Sequence, residues 1–128
     1  MFLFPTSAQE VRLLSNTFIP ANLGGKDTRR LGVCLLGLTF AGAGGALRRI
    51  SLDDARLAER LHDGELKSGA HWAWTKGDLP LDPQFWADLK GLVSLFVKHN
   101  SAATRQWTAP SRPEAHSGKS KRKLFSIR

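Results

Sequence analysis

HWAWTKGDLPL, residues 71–81, is the stretch whose reading decides the fold. Trp72 and Trp74 alternate with His71, Ala73 and Thr75, a period of two that places both indoles on one side of a β-strand. Lys76, Gly77 and Asp78 then supply a reversal, and the apolar Leu79 and Leu81 open the next extended segment. A strand and a turn are expected here.

Outward from it, the rest of the chain breaks into short extended segments. Residues 10–19 alternate, with Val11, Leu13 and Ile19 on one face against Arg12 and Asn16, and Pro20 closes them as an edge strand is closed. Residues 21–30 are a polar loop holding Gly24 and Gly25. Residues 32–40 are apolar on both faces and read as a central strand. Residues 46–52 suggest a further strand, after which Asp53 and Asp54 cap a helical turn reaching Arg60, with Leu57 and Leu61 four apart. Residues 82–90 are irregular and begin at Pro83. Residues 92–98, rich in Val, Leu and Phe, read as a second central strand, and residues 103–107 as a last edge strand ending near Trp107. The fold class expected is all-β: a small antiparallel sandwich or open barrel with at most a short helix.

Length allows one domain and one core. The net charge of +8 is unevenly spread: residues 1–108 hold 13 Lys/Arg against 10 Asp/Glu, and residues 109–128 hold 6 against 1. The body is nearly balanced, and the Pro/Ser/Gly/Lys/Arg composition of the end reads as a disordered basic tail. The domain division is therefore an N-terminal extension over 1–9, a sandwich over 10–108 and the tail over 109–128. Cys34 is alone, so no internal disulfide forms and the chain does not need an oxidising compartment. Residues 1–8 lack the basic region and long apolar run of a secretory signal, and a cytoplasmic location is the default expectation.

Residues 31–47 are uncharged and reach the lower limit of about 17 residues for a membrane span. Five glycines interrupt them, with Gly42, Gly44 and Gly45 close together as in a turn, and the arginine pairs on both sides set no orientation. A buried strand followed by a glycine loop fits better.

The candidate chemistry is sparse. The three clustered glycines after an apolar strand suggest a dinucleotide turn, yet Leu47 stands where the third glycine of that fingerprint belongs, and a hairpin loop is the simpler reading. His62, Asp63, Glu65 and His71 match no metal-ligand spacing, and no metal or other cofactor is expected. Neither Cys34 nor any serine lies in a nucleophile motif. Acid and base pairs among Asp53, Asp54, Glu59 and Asp78 have nothing that fixes their separation, which argues against a catalytic domain of a glycan enzyme. Exposed, Trp72 and Trp74 make a platform for sugar rings or bases; buried, they are core. The run KSKRK at 119–123 either contacts phosphates or is simply solvated.

The ordered set of short motifs carries a resemblance. Arg12, Leu13, Ser15, Phe18 and Pro20 are followed by Asp27, Arg29, Leu31, Gly32 and Val33, by Leu52, Asp53, Asp54, Arg56 and Leu57, and by His62, Asp63 and Glu65. Trp72, Trp74, Thr75, Gly77, Asp78 and Leu81 come next, and a final apolar strand ending near Trp107 completes the series. Over residues 10–110 this resembles the region downstream of the Hint (hedgehog/intein-type) domain in some bacterial proteins. It is also similar to β-rich modules attached to some bacterial glycosyltransferases. Self-cleavage in Hint domains uses a leading Cys and a T-x-x-H histidine. Cys34 is mid-strand and none of His62, His71, His99 or His116 follows a Thr by three, so that chemistry is not implied.

What these readings imply together is a non-catalytic accessory or binding module for a glycan or a protein such as a neighbouring domain. Trp72, Trp74, Asp78 and Arg29 are the ligand-binding candidates. Arg29 and Asp78 also have a structural reading, in which they pair with each other to fix loops on the sheet. The second reading is nucleic-acid or anionic-surface binding through Arg112, Lys119, Lys121, Arg122, Lys123 and Arg128.

Overall fold

The computed structural model describes residues 1–100 and 122–127. Its strands are β1 (Phe2–Pro5), β2 (Glu10–Leu14), β3 (Cys34–Ala41), β4 (Leu47–Ile50), β5 (Leu61–His62), β6 (Ala73–Thr75), β7 (Asp78–Leu81), β8 (Leu92–His99) and β9 (Arg122–Ser126), with one short helix, α1 (Gly64–Lys67). The all-β class is thus as expected. One sheet runs β1-β8-β3-β6-β5 with β4 also joined to β3; the other runs β7-β2-β9.

Alternation along the strands explains how the two sheets share one interior. Phe4, Val93, Leu95, Leu38 and Phe40 from the large sheet meet Val11, Leu13, Leu79 and Leu81 from the small one in a single buried cluster. Phe85 and Trp86, delivered by the turn that begins at Pro83, fill its middle. Each such side chain contributes about 1.5–3 kcal/mol of burial. The Trp86 indole N–H donates to the Ala8 carbonyl at 3.1 Å, so the largest core residue buries no unsatisfied donor.

β3 is central, as its two apolar faces require: β8 lies along one edge, and β4 and β6 share the other. Residues 31–47 are therefore strand and hairpin, with Gly44 and Gly45 at φ +78° and +82° in the loop to β4. Among the described residues no helix is long and apolar enough to cross a membrane.

Four local readings need correction. Residues 76–78 do not fold β6 back on β7, because β6 belongs to the large sheet and β7 to the small one. Gly77, at φ +97°, carries the chain around a corner between sheets, held where the Ser15 amide donates to the Gly77 carbonyl at 2.9 Å. Residues 2–5 are not an extension, since β1 pairs with β8 and buries Phe4.

The stretch 109–128 is not wholly a tail. β9 runs parallel to β2, and Ile127 is buried after it, because Leu124, Phe125 and Ile127 supply enough apolar surface to offset the neighbouring charge. The strand expected over 10–19 stops at Leu14, and Phe18 instead bridges to Leu31. The segment 53–60 is a run of turns, as expected: the Asp54 carboxylate caps it by accepting the Arg56 amide at 2.9 Å, the Leu57 and Arg60 amides donate to the carbonyls three residues back, and Leu57 and Leu61 are buried. The edge strand expected at 103–107 lies outside the described residues.

Candidate functional site

β4 and β6 pair with the same edge of β3 but not continuously: β6 takes residues 34–35 and β4 takes residues 38–41. Between them the β3–β8 register shifts, leaving Leu36 as the extra residue of a bulge. A bulge bends a strand and re-aims its side chain. Here Leu36 forms the floor of a notch of about 470 Å³, walled by Ile50, Ser51, Leu52 and Asp53 leaving β4 and by Gly69, Ala70 and His71 arriving at β6.

Helix α1 stands at the mouth of this notch and carries Leu66 into it. On one flank of α1 the same Leu66, with Leu52, Leu57 and Leu61, lines a smaller apolar pocket of about 230 Å³. On the other, Arg29, Gly64, Glu65, Ser68, Ala70 and Trp72 line a shallow open depression of about 640 Å³. Shared residues join the three hollows: Leu52, Asp53 and Leu66 link the first two, and Ala70 links the notch to the depression. The result is one groove wrapped around a single helical turn.

A four-residue helix has no stability of its own, so something must hold it. Arg29 does so. Its guanidinium donates to both oxygens of Glu65, at 2.5 and 3.1 Å, and to Asp27 at 2.8–3.1 Å, while its own amide also donates to Asp27 at 2.9 Å. Hydrogen bonding to Arg29 holds both the Glu65 and the Asp27 carboxyl below the usual carboxylate range. The His62 ring donates from Nε2 to the Arg30 carbonyl at 2.8 Å, fixing the next residue of the same loop to β5.

The four ligand-binding candidates separate. Trp72 and Arg29 line the same depression, and Trp72 is 41% exposed. Both tryptophans lie on the outer side of the sheet, since Ala73 and Thr75 take the inward positions of β6. Trp74 is half-buried there, edge-on to Phe18 with centroids 5.7 Å apart, and so is a packing residue. The expected pairing of Arg29 with Asp78 does not form: Asp78 stands on the small sheet and binds Arg12 at 2.8 Å, while Arg29 binds Asp27 and Glu65.

Of the C-terminal cations, Lys123 sits in β9 opposite Val11 and Arg122 opposite Glu10 in the parallel register. Arg112, Lys119, Lys121 and Arg128 lie outside the described residues.

Other polar groups of the groove form no assembled relay. The Ser51 hydroxyl is hydrogen-bonded to Asp53, and His71 makes no hydrogen bond to either. Among the described residues no group of three or more His, Cys, Asp or Glu is placed to hold a metal ion, and His62, Asp63, Glu65 and His71 take the separate partners and positions given above or, for Asp63, Lys67 at 2.8 Å. Sequence reasoning did not find Leu36, Ser51, Leu66 or Gly69. The bulge that exposes Leu36 depends on a register between strands some sixty residues apart in sequence, which leaves no local trace.

Together the fold and the site define a small two-sheet β domain with an aromatic-edged groove on its surface. No family model matches this chain, and no curated protein or solved structure matches it either.

Proposed function

We propose that the chain is a non-catalytic binding module whose groove around α1 takes a glycan, with the Trp72 indole as the platform for a sugar ring. The observation that carries this reading is the exposed Trp72 beside the fixed Arg29–Glu65 pair and the Ser68 hydroxyl, a combination of one apolar face with polar groups at its border. Sugar rings have that dual character: an axial C–H face that packs on an aromatic ring and hydroxyls that bond at its edge. The resemblance to Hint-associated and glycosyltransferase-associated modules supports an accessory role of this kind.

Titration of the full chain with a panel of neutral and acidic oligosaccharides, followed by tryptophan fluorescence and calorimetry, tests it. Trp72→Ala is expected to weaken binding about tenfold, the scale of one lost aromatic contact, and to leave the circular dichroism spectrum unchanged. Absence of saccharide binding, or a Trp72→Ala variant that binds as well as the parent, overturns the reading.

Anion binding through the C-terminal cations is the second reading, supported by the six Lys/Arg against one Glu in residues 109–128. Deletion does not test it cleanly, since removing the end of the chain removes β9 as well. Neutralising Arg112, Lys119 and Lys121 to Gln does, and a salt-sensitive nucleic-acid affinity that survives this change excludes it.

A further inference from the structure

The outward face of β1, β8, β3 and β4 is unlike the rest of the surface. Strand pairing places Leu3, Ser94, Ala41 and Leu47 in one row across the four strands. The next row sets Phe96 beside Thr39 and Arg49, and Leu92 lies opposite Pro5 at the other side. Leu3, Leu92, Leu47 and Phe96 are 50%, 63%, 66% and 45% exposed. From strand spacing this is a patch of roughly 300 Å², at the lower end of the largest apolar patch that a monomer ordinarily exposes, one that is often functional.

Its charge is one-sided. The four strands contain Arg48, Arg49 and Lys98 and no Asp or Glu. Arg48 turns away to Asp88 and the Phe85 carbonyl. Arg49 and Lys98, on the outward side, have no carboxylate partner among the described residues, and Lys90 stands just before β8, likewise without one. Leucines and a phenylalanine are thus bordered by free cations.

Complementarity therefore demands a partner that is apolar and anionic. A second copy would bring Arg49 and Lys98 against their own kind. The chain's own residues 101–121 carry Arg105, Arg112, Lys119 and Lys121 against Glu114 alone, and repel the face in the same way. Single strands of nucleic acid stack on aromatic rings, and only Phe96 offers one here. Aliphatic side chains ringed by lysine and arginine suit the boundary of an anionic bilayer, where leucines enter the acyl region and cations meet the headgroups.

We propose that this face docks on an anionic phospholipid surface, with Leu3, Leu47, Leu92 and Phe96 inserted and Arg49 and Lys98 at the headgroups. It shares the outer side of the large sheet with the Trp72 groove and meets the notch at β4, but it uses none of the groove's lining residues and does not depend on what that groove binds.

Co-sedimentation of the full chain with vesicles tests the proposal, using phosphatidylcholine alone and phosphatidylcholine mixed with phosphatidylserine. Binding is expected on the mixed vesicles and to be at least about tenfold weaker on phosphatidylcholine. Leu3→Ser, Leu47→Ser and Leu92→Ser combined leave the net charge unchanged and are expected to lower the affinity about tenfold or more. Arg49→Gln with Lys98→Gln is expected to do the same. Leu47→Ser alone, at the most exposed of the three leucines, serves if the triple variant melts early, with a smaller loss in the same direction. Three results overturn the proposal: no vesicle binding, serine variants that bind like the parent (cations elsewhere then act alone), or tighter binding to a single-stranded oligonucleotide than to the mixed vesicles.

Discussion

Phe2 and Phe125 stack with ring centroids 4.5 Å apart, so the first and last described strands of the chain lie against each other. Phe4 approaches the same Phe125 ring at 6.1 Å. The contact is part of the core's edge: β9 covers β2 on the side away from β7, and Ile127 closes behind it. Truncation after residue 109 is expected to remove this cover and the parallel ladder together, at a cost of several kcal/mol. Urea denaturation of the truncated and full chains measures it, and equal midpoints would contradict the placement of β9.

Gly32 is fixed by crowding rather than by backbone angle. A Cβ there would lie 2.3 Å from Thr75 Oγ1, 2.7 Å from Ser15 Oγ and 2.8 Å from the Gly77 amide nitrogen. Two of those neighbours belong to the corner between the sheets, and Thr75 Oγ1 already accepts the Val33 amide at 2.9 Å. Gly32→Ala is expected to destabilise by about 1–3 kcal/mol or more, the range for overpacking. A melting temperature equal to that of the parent would show that the corner yields.

Acid should weaken the carboxylate–arginine pairs of the loops in a defined window. Asp54 is held at about 2 by hydrogen bonds from the Arg56 side chain and amide. Its folded value lies below its unfolded one, so the stabilisation is complete above the ordinary carboxylate range near 4 and is lost as pH falls toward 2. Glu65 and Asp27, lowered by Arg29, act with the same sign. Chemical denaturation midpoints followed from pH 7 to about pH 2 are expected to fall mostly below about 4. Asp54→Asn is expected to flatten part of that fall, and an unchanged profile would remove Asp54 from the account.

Cys34 is buried in β3, and burial first, then the Glu65 charge, raises its thiol above the ordinary value. Only the thiolate attacks disulfide reagents. In the native state at mildly alkaline pH, Cys34 is expected to react at least about a hundredfold more slowly with an aromatic disulfide than in denaturant. Comparable rates in both would mean that β3 opens readily.

The elements most easily read from the chain were those whose pattern is local. β3 and β8 declare themselves by apolar runs that suit strands covered on the core side and partly on the other, and the glycines after β3 by a loop that needs positive φ. The Trp72/Trp74 alternation gave the strand and the shared outer side of both rings. It said nothing of Phe18, which half-covers Trp74 and leaves Trp72 as the open one, because that neighbour arrives from a bridge elsewhere in sequence. Arg29 was legible as a charged loop residue; its grip on Glu65 was not, since ion pairs between distant loops have no spacing rule. β9 was hidden for a different reason. Its Leu124, Phe125 and Ile127 follow a dense run of cations, and composition over the whole segment outweighed the short apolar pattern within it.

The parallel pairing of β2 with β9 imposes an order on biosynthesis. Of the described strands only β1 is made before β2, and β9 emerges only after all the others. Until then the nascent chain exposes one flank of β2 together with the rings of Phe2 and Phe4, a period in which chaperone capture or intermolecular strand pairing competes with native closure.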